Sequence, residues 1–222
     1  GGSTEALISL AGYLGGAVLL LAATLPALPA RTIGVIPVAL VLNIVIGQIA
    51  GSVGVPLYLD SVGTVLVAAL AGPIAGLATG TLSSVVWGLL NPAALPFAAV
   101  AAATGWLAGV AIEKGAFAKL WKLVVSGLLI GLICGALAAP VAAFVYGGTA
   151  GVGTGAIVSL FRELGNSLLA SVTMQSFISD PLDKLAVMAV VYAAVKALPQ
   201  KTLRSFRPVA QEARVAEQPV AA

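Results

Sequence analysis

The sequence predicts an all-α protein, a polytopic bundle of membrane helices, on the basis of three observations. Of the 222 residues, 60% are hydrophobic and 9% are charged, whereas a soluble domain has about 25% charged residues. The mean hydropathy is +1.10, and the apolar runs are long enough for helices that cross a bilayer. Lys and Arg are concentrated between and after these runs. Lipid is therefore the expected solvent for most of the chain.

The apolar runs predict seven spans, in which most prolines fall at or near an end, where they disturb a helix least. The spans cover residues 6–28, 33–53, 57–72, 74–90, 94–112, 123–145 and 175–197. We expect residues 1–30 to form an extra N-terminal helix and residues 31–199 to form a six-helix substrate-binding domain. Residues 200–222 are polar and start with basic residues, which predicts a disordered cytoplasmic tail.

The basic residues predict the orientation of the spans. Seven spans place the positively charged connections on one side, which is the cytoplasmic side by the positive-inside rule. These residues are Arg31, Lys114, Lys119, Lys122, Lys196, Lys201, Arg204, Arg207 and Arg214. The protein is therefore expected in the cell membrane, with its C-terminus cytoplasmic and its N-terminus outside. This orientation explains the net charge of +3 without a nucleic-acid partner.

We expect neither a cofactor nor enzyme activity, since the sequence lacks both metal-ligating residues and a dense acidic motif such as two nearby Asp-x-x-Asp pairs. The chain has no His and a single Cys, Cys134, so a zinc or haem site has few possible ligands. The Gly-rich stretch at 147–155 lacks the Lys-Ser/Thr that follows a phosphate-binding loop. We expect this stretch and the helical pattern after it to form a lid on the outer side, because long connections often cover binding sites.

Polar side chains gather at the predicted outer ends of several spans. An ionised side chain at membrane depth costs about 2.5–3.5 kcal/mol on insertion scales and normally pairs or lines a cavity. We therefore expect an outward-facing polar pocket. The candidate substrate-binding residues are Tyr58, Asp60, Trp87, Asn91, Arg162, Asn166, Asp180, Asp183 and Lys184.

Structural roles remain open for the charged candidates. Asp60 follows a proline turn and Asp180 precedes Pro181, so both fit the N-cap of a helix. Lys184 with Asp183 fits a structural ion pair. Arg162, with the neighbouring Glu163, fits the solvated face of a loop.

Structural roles are also open for the uncharged polar residues and the glycines. Trp87 fits an aromatic belt at the membrane interface, whereas Asn43 and Gln48 fit hydrogen bonds between helices. The small-residue series Gly72, Gly76 and Gly80 fits packing within the bundle or docking of another membrane subunit.

Two stretches carry a resemblance to a known family. The strings LYLDSVGTVLVAALAGPIAGLATGTLSSVVWGL at 57–89 and SDPLDKLAVMAVVYAAVKALP at 179–199 resemble the substrate-binding S components of energy-coupling factor (ECF) vitamin transporters. The similarity is to the branch of riboflavin-, pyridoxine- and hydroxymethylpyrimidine-type proteins, and it covers residues 32–200. It implies a six-helix bundle that binds a vitamin from outside. Its partners would be a transmembrane coupling subunit and two cytoplasmic ATPases.

The resemblance also places the ligand and shows two departures. The family binds its ligand in the outer half, under the loop between its first two helices, which is here residues 51–61 and contains Asp60. The helix at 6–28 precedes the six-helix core. The first core helix contains Pro37 and lacks a clean small-x-x-x-small pattern in its inner half. Both departures concern docking on a coupling subunit rather than the fold of the six-helix core.

The resulting hypothesis is a high-affinity vitamin-binding subunit that delivers its ligand inward with an ECF module. We expect stacking on Trp87 or Tyr58 and hydrogen bonds from the polar candidates. A cationic ring would favour the acids, and a phosphorylated ligand would favour Arg162 and Lys184. The alternatives are an autonomous transporter or channel, an integral membrane enzyme that uses its Asp residues, and a membrane assembly or scaffold protein.

Overall fold

A computed structural model describes residues 2–146 and 152–206, and this part of the protein consists of helices joined by short connections, with a longer loop at 54–61. Nine helices follow in order, with 3₁₀ turns at Leu25–Ala27 and Pro92–Phe97. They are α1 (Gly2–Thr24), α2 (Ala30–Val53), α3 (Val62–Ala71), α4 (Pro73–Leu90), α5 (Ala98–Glu113), α6 (Leu120–Tyr146), α7 (Val152–Glu163), α8 (Leu168–Ala197) and α9 (Gln200–Phe206).

Five apolar segments are long enough to cross a membrane: Ile8–Ala27, Ala30–Val53, Pro73–Leu90, Pro92–Glu113 and Leu120–Val145. The chain is therefore a multi-pass helical membrane bundle, as the composition predicts. The apolar helix α3 has only ten residues. Helix α8 is 30 residues long, but it is not among these five segments because Asp180, Asp183 and Lys184 lie in its middle.

Three predicted boundaries differ from the observed ones. Helix α3 begins at Val62 rather than at 57, because the chain around Leu59 has a positive φ of 52°, which a right-handed helix excludes. Helix α8 begins at Leu168 rather than at 175, since the Ser167 side chain caps it by accepting a hydrogen bond from the Ala170 N–H. The predicted disordered tail begins instead with α9. Residues 147–151 of the predicted lid and 207–222 of the tail lie outside the described residues.

Helices α4 and α5 touch backbone to backbone through glycines. A Cβ added to Gly76 would lie 2.5 Å from the Gly105 carbonyl oxygen, and one added to Gly80 would lie 2.1 Å from that of Ala101. A Cβ on Gly105 would in turn lie 2.1 Å from the Gly76 oxygen. These contacts confirm the packing role for Gly76 and Gly80, since only glycine permits such an approach.

A second glycine series sets α6 against α8. A Cβ added to Gly131 would lie 2.3 Å from Pro181 Cα, and one added to Gly127 would lie 2.8 Å from Leu185 Cα. Gly135 lies slightly further out, with its added Cβ 3.2 Å from the Ser176 oxygen. The backbone of α8 around residues 176–185 is therefore held directly against α6.

Asn43 joins the first three core helices. Its side chain is fully buried and donates hydrogen bonds to the Thr64 hydroxyl at 2.8 Å and the Ser83 hydroxyl at 3.1 Å. Its Oδ1 accepts from the backbone N–H of Gly63 at 2.7 Å. This confirms the predicted interhelical role of Asn43.

The basic connections meet at one end of the bundle. The Arg31 guanidinium lies 5.4 Å from the Phe206 ring, and Lys196 Nζ lies 4.8 Å from the Tyr192 ring. Tyr192 also contacts Phe117, with their ring centroids 5.4 Å apart. These contacts gather the start of α2, the α5–α6 connection and the end of α8, which we call the basic end.

Candidate functional site

A cavity of about 430 Å³ opens in the half of the bundle opposite the basic end. Its wall is formed by the end of α2, the loop at 54–61, the start of α3, the end of α4 with the 3₁₀ turn after it, the start of α5, the end of α6 and the middle of α8, and Thr154 of α7 in the predicted lid also lines it. Six of the nine predicted site residues line it: Tyr58, Asp60, Trp87, Asn91, Asp180 and Lys184. The structure thus brings together side chains that are up to 126 positions apart in the sequence.

Two of the other three candidates lie away from the cavity wall. Arg162 and its neighbour Glu163 are exposed near the end of α7, which agrees with the alternative of a solvated face. The Asn166 side chain donates to the nearby Phe161 carbonyl at 3.1 Å. The predicted outer lid therefore contributes neither residue to the cavity.

Asp183, the third, is fully buried behind the cavity and holds the loop at 54–61 in place. Its Oδ1 accepts hydrogen bonds from the backbone N–H groups of Tyr58 at 2.9 Å and Leu59 at 2.7 Å. Its Oδ2 lies 2.6 Å from Lys184 Nζ. Asp183 is thus a structural anchor between α8 and the loop, and the ion-pair interpretation of Asp183 with Lys184 is correct.

Lys184 connects this anchor to the cavity. Its ammonium donates to the Ser61 hydroxyl at 3.2 Å and lies 4.0 Å from Asp60 Oδ1. The Asp60 side chain is 38% exposed, so it reaches the cavity space. The N-cap of α3 is Ser61, and the capping interpretation of Asp60 is therefore wrong.

Asp180 lies inside α8, and one of its carboxylate oxygens has no hydrogen-bond partner among the described residues. Helix α8 begins twelve residues earlier and continues through Pro181, so the N-cap interpretation of Asp180 is wrong. The residue is only 4% exposed, and its Oδ2 is buried without a hydrogen-bond partner. Such an oxygen costs about 1–3 kcal/mol relative to a satisfied one, and a bound donor would satisfy it.

The indole N–H of Trp87 is a second buried polar group in the same cavity that lacks a hydrogen-bond partner. Its Nε1 is buried and has no acceptor among the described residues. A Cβ added to Gly47 would lie 2.8 Å from Trp87 Cη2 and 3.0 Å from Asp60 Cβ. The Trp87 ring and the Asp60 Cβ therefore both lie against Gly47, and Trp87 belongs to the cavity wall rather than to an interfacial belt.

Sequence reasoning missed several polar residues of the site. The Tyr58 hydroxyl accepts a hydrogen bond from Gln175 Nε2 at 3.3 Å, and Ser84, Thr104 and Ser176 line the cavity. Helical spacing contained part of this signal. Ser84 lies three residues before Trp87 and Ser176 four before Asp180, which places each on the same helix face as its neighbour.

The three neighbouring carboxylates of Asp60, Asp180 and Asp183 do not amount to a metal centre. Within residues 2–146 and 152–206, no group of three or more His, Cys, Asp or Glu side chains is arranged to hold a metal ion. The polar wall instead combines carboxylate, hydroxyl and amide groups with the indole of Trp87, which is suited to an organic ligand.

Comparisons with known proteins add no family assignment. No protein-family model matches the chain, and no match was found among curated proteins or solved structures. The fold and the cavity therefore define the class by themselves. The chain is a multi-pass helical membrane protein with a polar cavity inside its bundle.

Proposed function

We propose that the protein is the membrane-embedded, high-affinity binding subunit for uptake of a vitamin or vitamin precursor. One observation carries the proposal: Trp87 Nε1 and Asp180 Oδ2 are buried in the same cavity and have no hydrogen-bond partner within residues 2–146 and 152–206. Buried polar groups without partners are rare in native proteins. A ligand that supplies an acceptor and a donor satisfies both groups at once.

The size and lining of the cavity support a small organic ligand. A volume of about 430 Å³ lies within the roughly 300–1,000 Å³ of small-molecule sites. Apolar walls from Val55, Phe97 and Ala142 surround the polar groups. This combination suits one or two aromatic rings with a few polar substituents.

The helix order supports the S-component architecture that the resemblance implies. In this proposal α2, α3, α4, α5, α6 and α8 form the six-helix core, α1 is the extra N-terminal helix, and α7 lies on the outer side. The basic end faces the cytoplasm and the cavity faces outward, so that the ligand enters from outside the cell membrane.

Energy for uptake comes from partners in this proposal, and the chain itself is not an enzyme. A transmembrane coupling subunit and two cytoplasmic ATPases, together forming an ECF module, would drive delivery of the ligand inward. The sequence has no nucleotide-binding motif of its own.

The first experiment identifies the ligand directly. The protein is purified in detergent from cells grown in vitamin-rich medium, denatured and extracted, and the extract is analysed by mass spectrometry. We expect a vitamin-sized heteroaromatic compound in stoichiometric amount, lost from Asp180→Asn and kept by Glu163→Gln, in which the exposed acid is replaced. An empty extract, together with no thermal shift across a vitamin panel, refutes the proposal and favours a scaffold role.

A second experiment tests the need for an ECF module. Uptake of the identified ligand is measured in cells that express the protein with and without a coupling subunit and its two ATPases. We expect uptake only with the complete module. Equal uptake by the protein alone would identify an autonomous transporter or channel.

A further inference from the structure

We infer that the ligand is a cationic nitrogen heterocycle with an N–H donor, and that phosphorylated and carboxylate-bearing compounds are excluded. The inference rests on the proposed binding function and specifies its substrate class. Three independent features of the cavity support it: its charge balance, its unmatched acceptor and its aromatic wall.

The charge balance of the site is negative. Lys184 is the only cation among the described residues that line the cavity, and it lies 2.6 Å from Asp183 and 4.0 Å from Asp60, while Asp180 lines the same cavity. Asp183 offsets the charge of Lys184, so ionisation of Asp60 or Asp180 makes the formal charge of the site negative. A cationic ligand reduces this excess, whereas an anionic ligand increases it.

Lys184 is a poor partner for an anionic ligand, because acids already lie around it. Its ammonium donates to Asp183 at 2.6 Å and to the Ser61 hydroxyl at 3.2 Å, which leaves one of its three N–H donors. Asp60 Oδ1 lies 4.0 Å from the same nitrogen, so a phosphate on the remaining N–H would be repelled by a neighbouring carboxylate. Arg162 is exposed on α7, outside the cavity wall. Neither of the two residues that would favour a phosphorylated ligand is therefore placed to bind one.

The carboxylate of Asp180 indicates which group the ligand presents to this part of the cavity. Asp180 is more than nine-tenths buried and lines the cavity, and its Oδ2 has no partner. An ionised carboxylate oxygen only accepts, so a ligand that binds the ionised form of Asp180 supplies an N–H or O–H donor there. An N–H of a charged heterocycle gives the stronger, charge-assisted bond.

The aromatic wall completes a site for positive charge. Trp87 and Asp60 both lie against Gly47 and line the cavity, so a cation in the cavity meets an indole and an acidic residue on the same wall. Trp is the side chain that attracts cations most strongly through its ring face. The Trp87 N–H additionally requires one acceptor on the ligand, which a ring nitrogen or hydroxyl provides.

Matched pairs of ligands test the charge selectivity. Purified protein in nanodiscs is titrated with thiamine and thiamine monophosphate, with pyridoxamine and pyridoxamine 5′-phosphate, and with neutral riboflavin and anionic pantothenate. We expect at least one unphosphorylated cation to bind about tenfold or more tightly than its phosphate ester. Riboflavin and pantothenate are expected not to bind.

Two outcomes separate the inference from the proposed function. Tight binding of riboflavin, pantothenate or a phosphate ester, with no binding of either cation, refutes the cationic class and leaves the vitamin-binding function intact. Binding of none of the six compounds, with no ligand in the extract, refutes both.

Variants locate the charge recognition in the cavity. We expect Asp180→Asn and Asp60→Asn each to weaken binding of the preferred cation about tenfold or more, whereas Glu163→Gln leaves it unchanged. Size-exclusion chromatography and thermal unfolding establish that each variant is folded. Asp60, which is 38% exposed, provides the test if Asp180→Asn does not fold. Unchanged affinity in a folded Asp60→Asn and Asp180→Asn pair overturns the inference.

Discussion

Asp180 and Asp183 lie three residues apart on α8, yet the structure gives them opposite roles. Asp183 is saturated: it accepts two backbone N–H groups and contacts the Lys184 ammonium. Asp180 retains a buried oxygen without a partner. The first residue therefore stabilises the fold, whereas the second leaves a hydrogen-bonding requirement that a ligand can meet.

This contrast predicts opposite effects of the same substitution on stability. Asp183→Asn leaves the Lys184 charge without its closest partner, and breaking a buried pair costs about 3–5 kcal/mol. Asp180→Asn removes an uncompensated charge, so the ligand-free protein keeps or gains stability, as often occurs at functional sites. Thermal unfolding of the ligand-free variants in detergent measures both. A loss for Asp180→Asn as large as that for Asp183→Asn would show that Asp180 is also structural.

Asn43 gives a second prediction at the residue scale. Asn43→Ala leaves the Gly63 N–H and the hydroxyls of Thr64 and Ser83 without this partner, so we expect a loss of about 2 kcal/mol in unfolding free energy. Asn166→Ala is the matched control, because Asn166 bonds only to the nearby Phe161 carbonyl among the described contacts, and we expect a much smaller loss. Denaturant titration compares the two, and equal losses would contradict the interhelical role of Asn43.

The sequence allowed some residue roles to be predicted and concealed others. Asp180, Lys184 and Trp87 stand out because each is charged or aromatic in an apolar, small-residue context. The anchoring role of Asp183 could not be predicted, since its backbone partners are 124 and 125 residues away. The sequence is equally consistent with a capping role for Asp180, because proline occurs both at helix starts and, less often, inside helices.

At the scale of elements, α4 and α5 pack through close backbone contact at glycines rather than through interdigitated side chains. Gly105→Ala places a methyl group 2.1 Å from the Gly76 carbonyl oxygen, which forces the helices apart and costs about 1–3 kcal/mol. Gly34→Ala in α2 meets no atom within 4 Å, so it gains helix propensity and keeps or raises stability. The two variants carry the same chemical change with opposite expected signs in thermal unfolding. A neutral Gly105→Ala would show that the two backbones are not in contact.

Element boundaries were predicted well where composition changes and poorly where polar groups interrupt an apolar run. The limits of α2 and α4 follow the apolar pattern closely. The start of α3 does not, because residues 57–61 are used as a loop whose N–H groups bind Asp183. Helix α8 extends seven residues upstream of its predicted start, since hydrophobicity alone does not register the Ser167 cap.

At the scale of the whole molecule, the two ends differ in charge and in openness, which gives a topology prediction. In a Cys134→Ala background, Ser52→Cys lies at the cavity end and Lys119→Cys at the basic end, and both positions are exposed. We expect a membrane-impermeant maleimide to label Ser52→Cys on intact cells and Lys119→Cys only after permeabilisation, by the positive-inside rule. The unmodified protein is the control, because Cys134 is fully buried. The reverse pattern would place the cavity on the cytoplasmic side.

The ionised side chains in the middle of α8 also affect how the chain is assembled during synthesis. Each charged residue near the centre of a lone helix disfavours its transfer from the translocon into lipid by about 2.5–3.5 kcal/mol. The glycines of α6 lie directly against residues 181 and 185 of α8, and the loop at 54–61 supplies the partners of Asp183 and Lys184. Both are synthesised before α8. We therefore expect insertion of α8 into the bilayer to depend on α6 and on this loop, which are already in place when α8 is synthesised. Substitutions that disrupt α6 or this loop should appear first as failed membrane integration of the C-terminal segment.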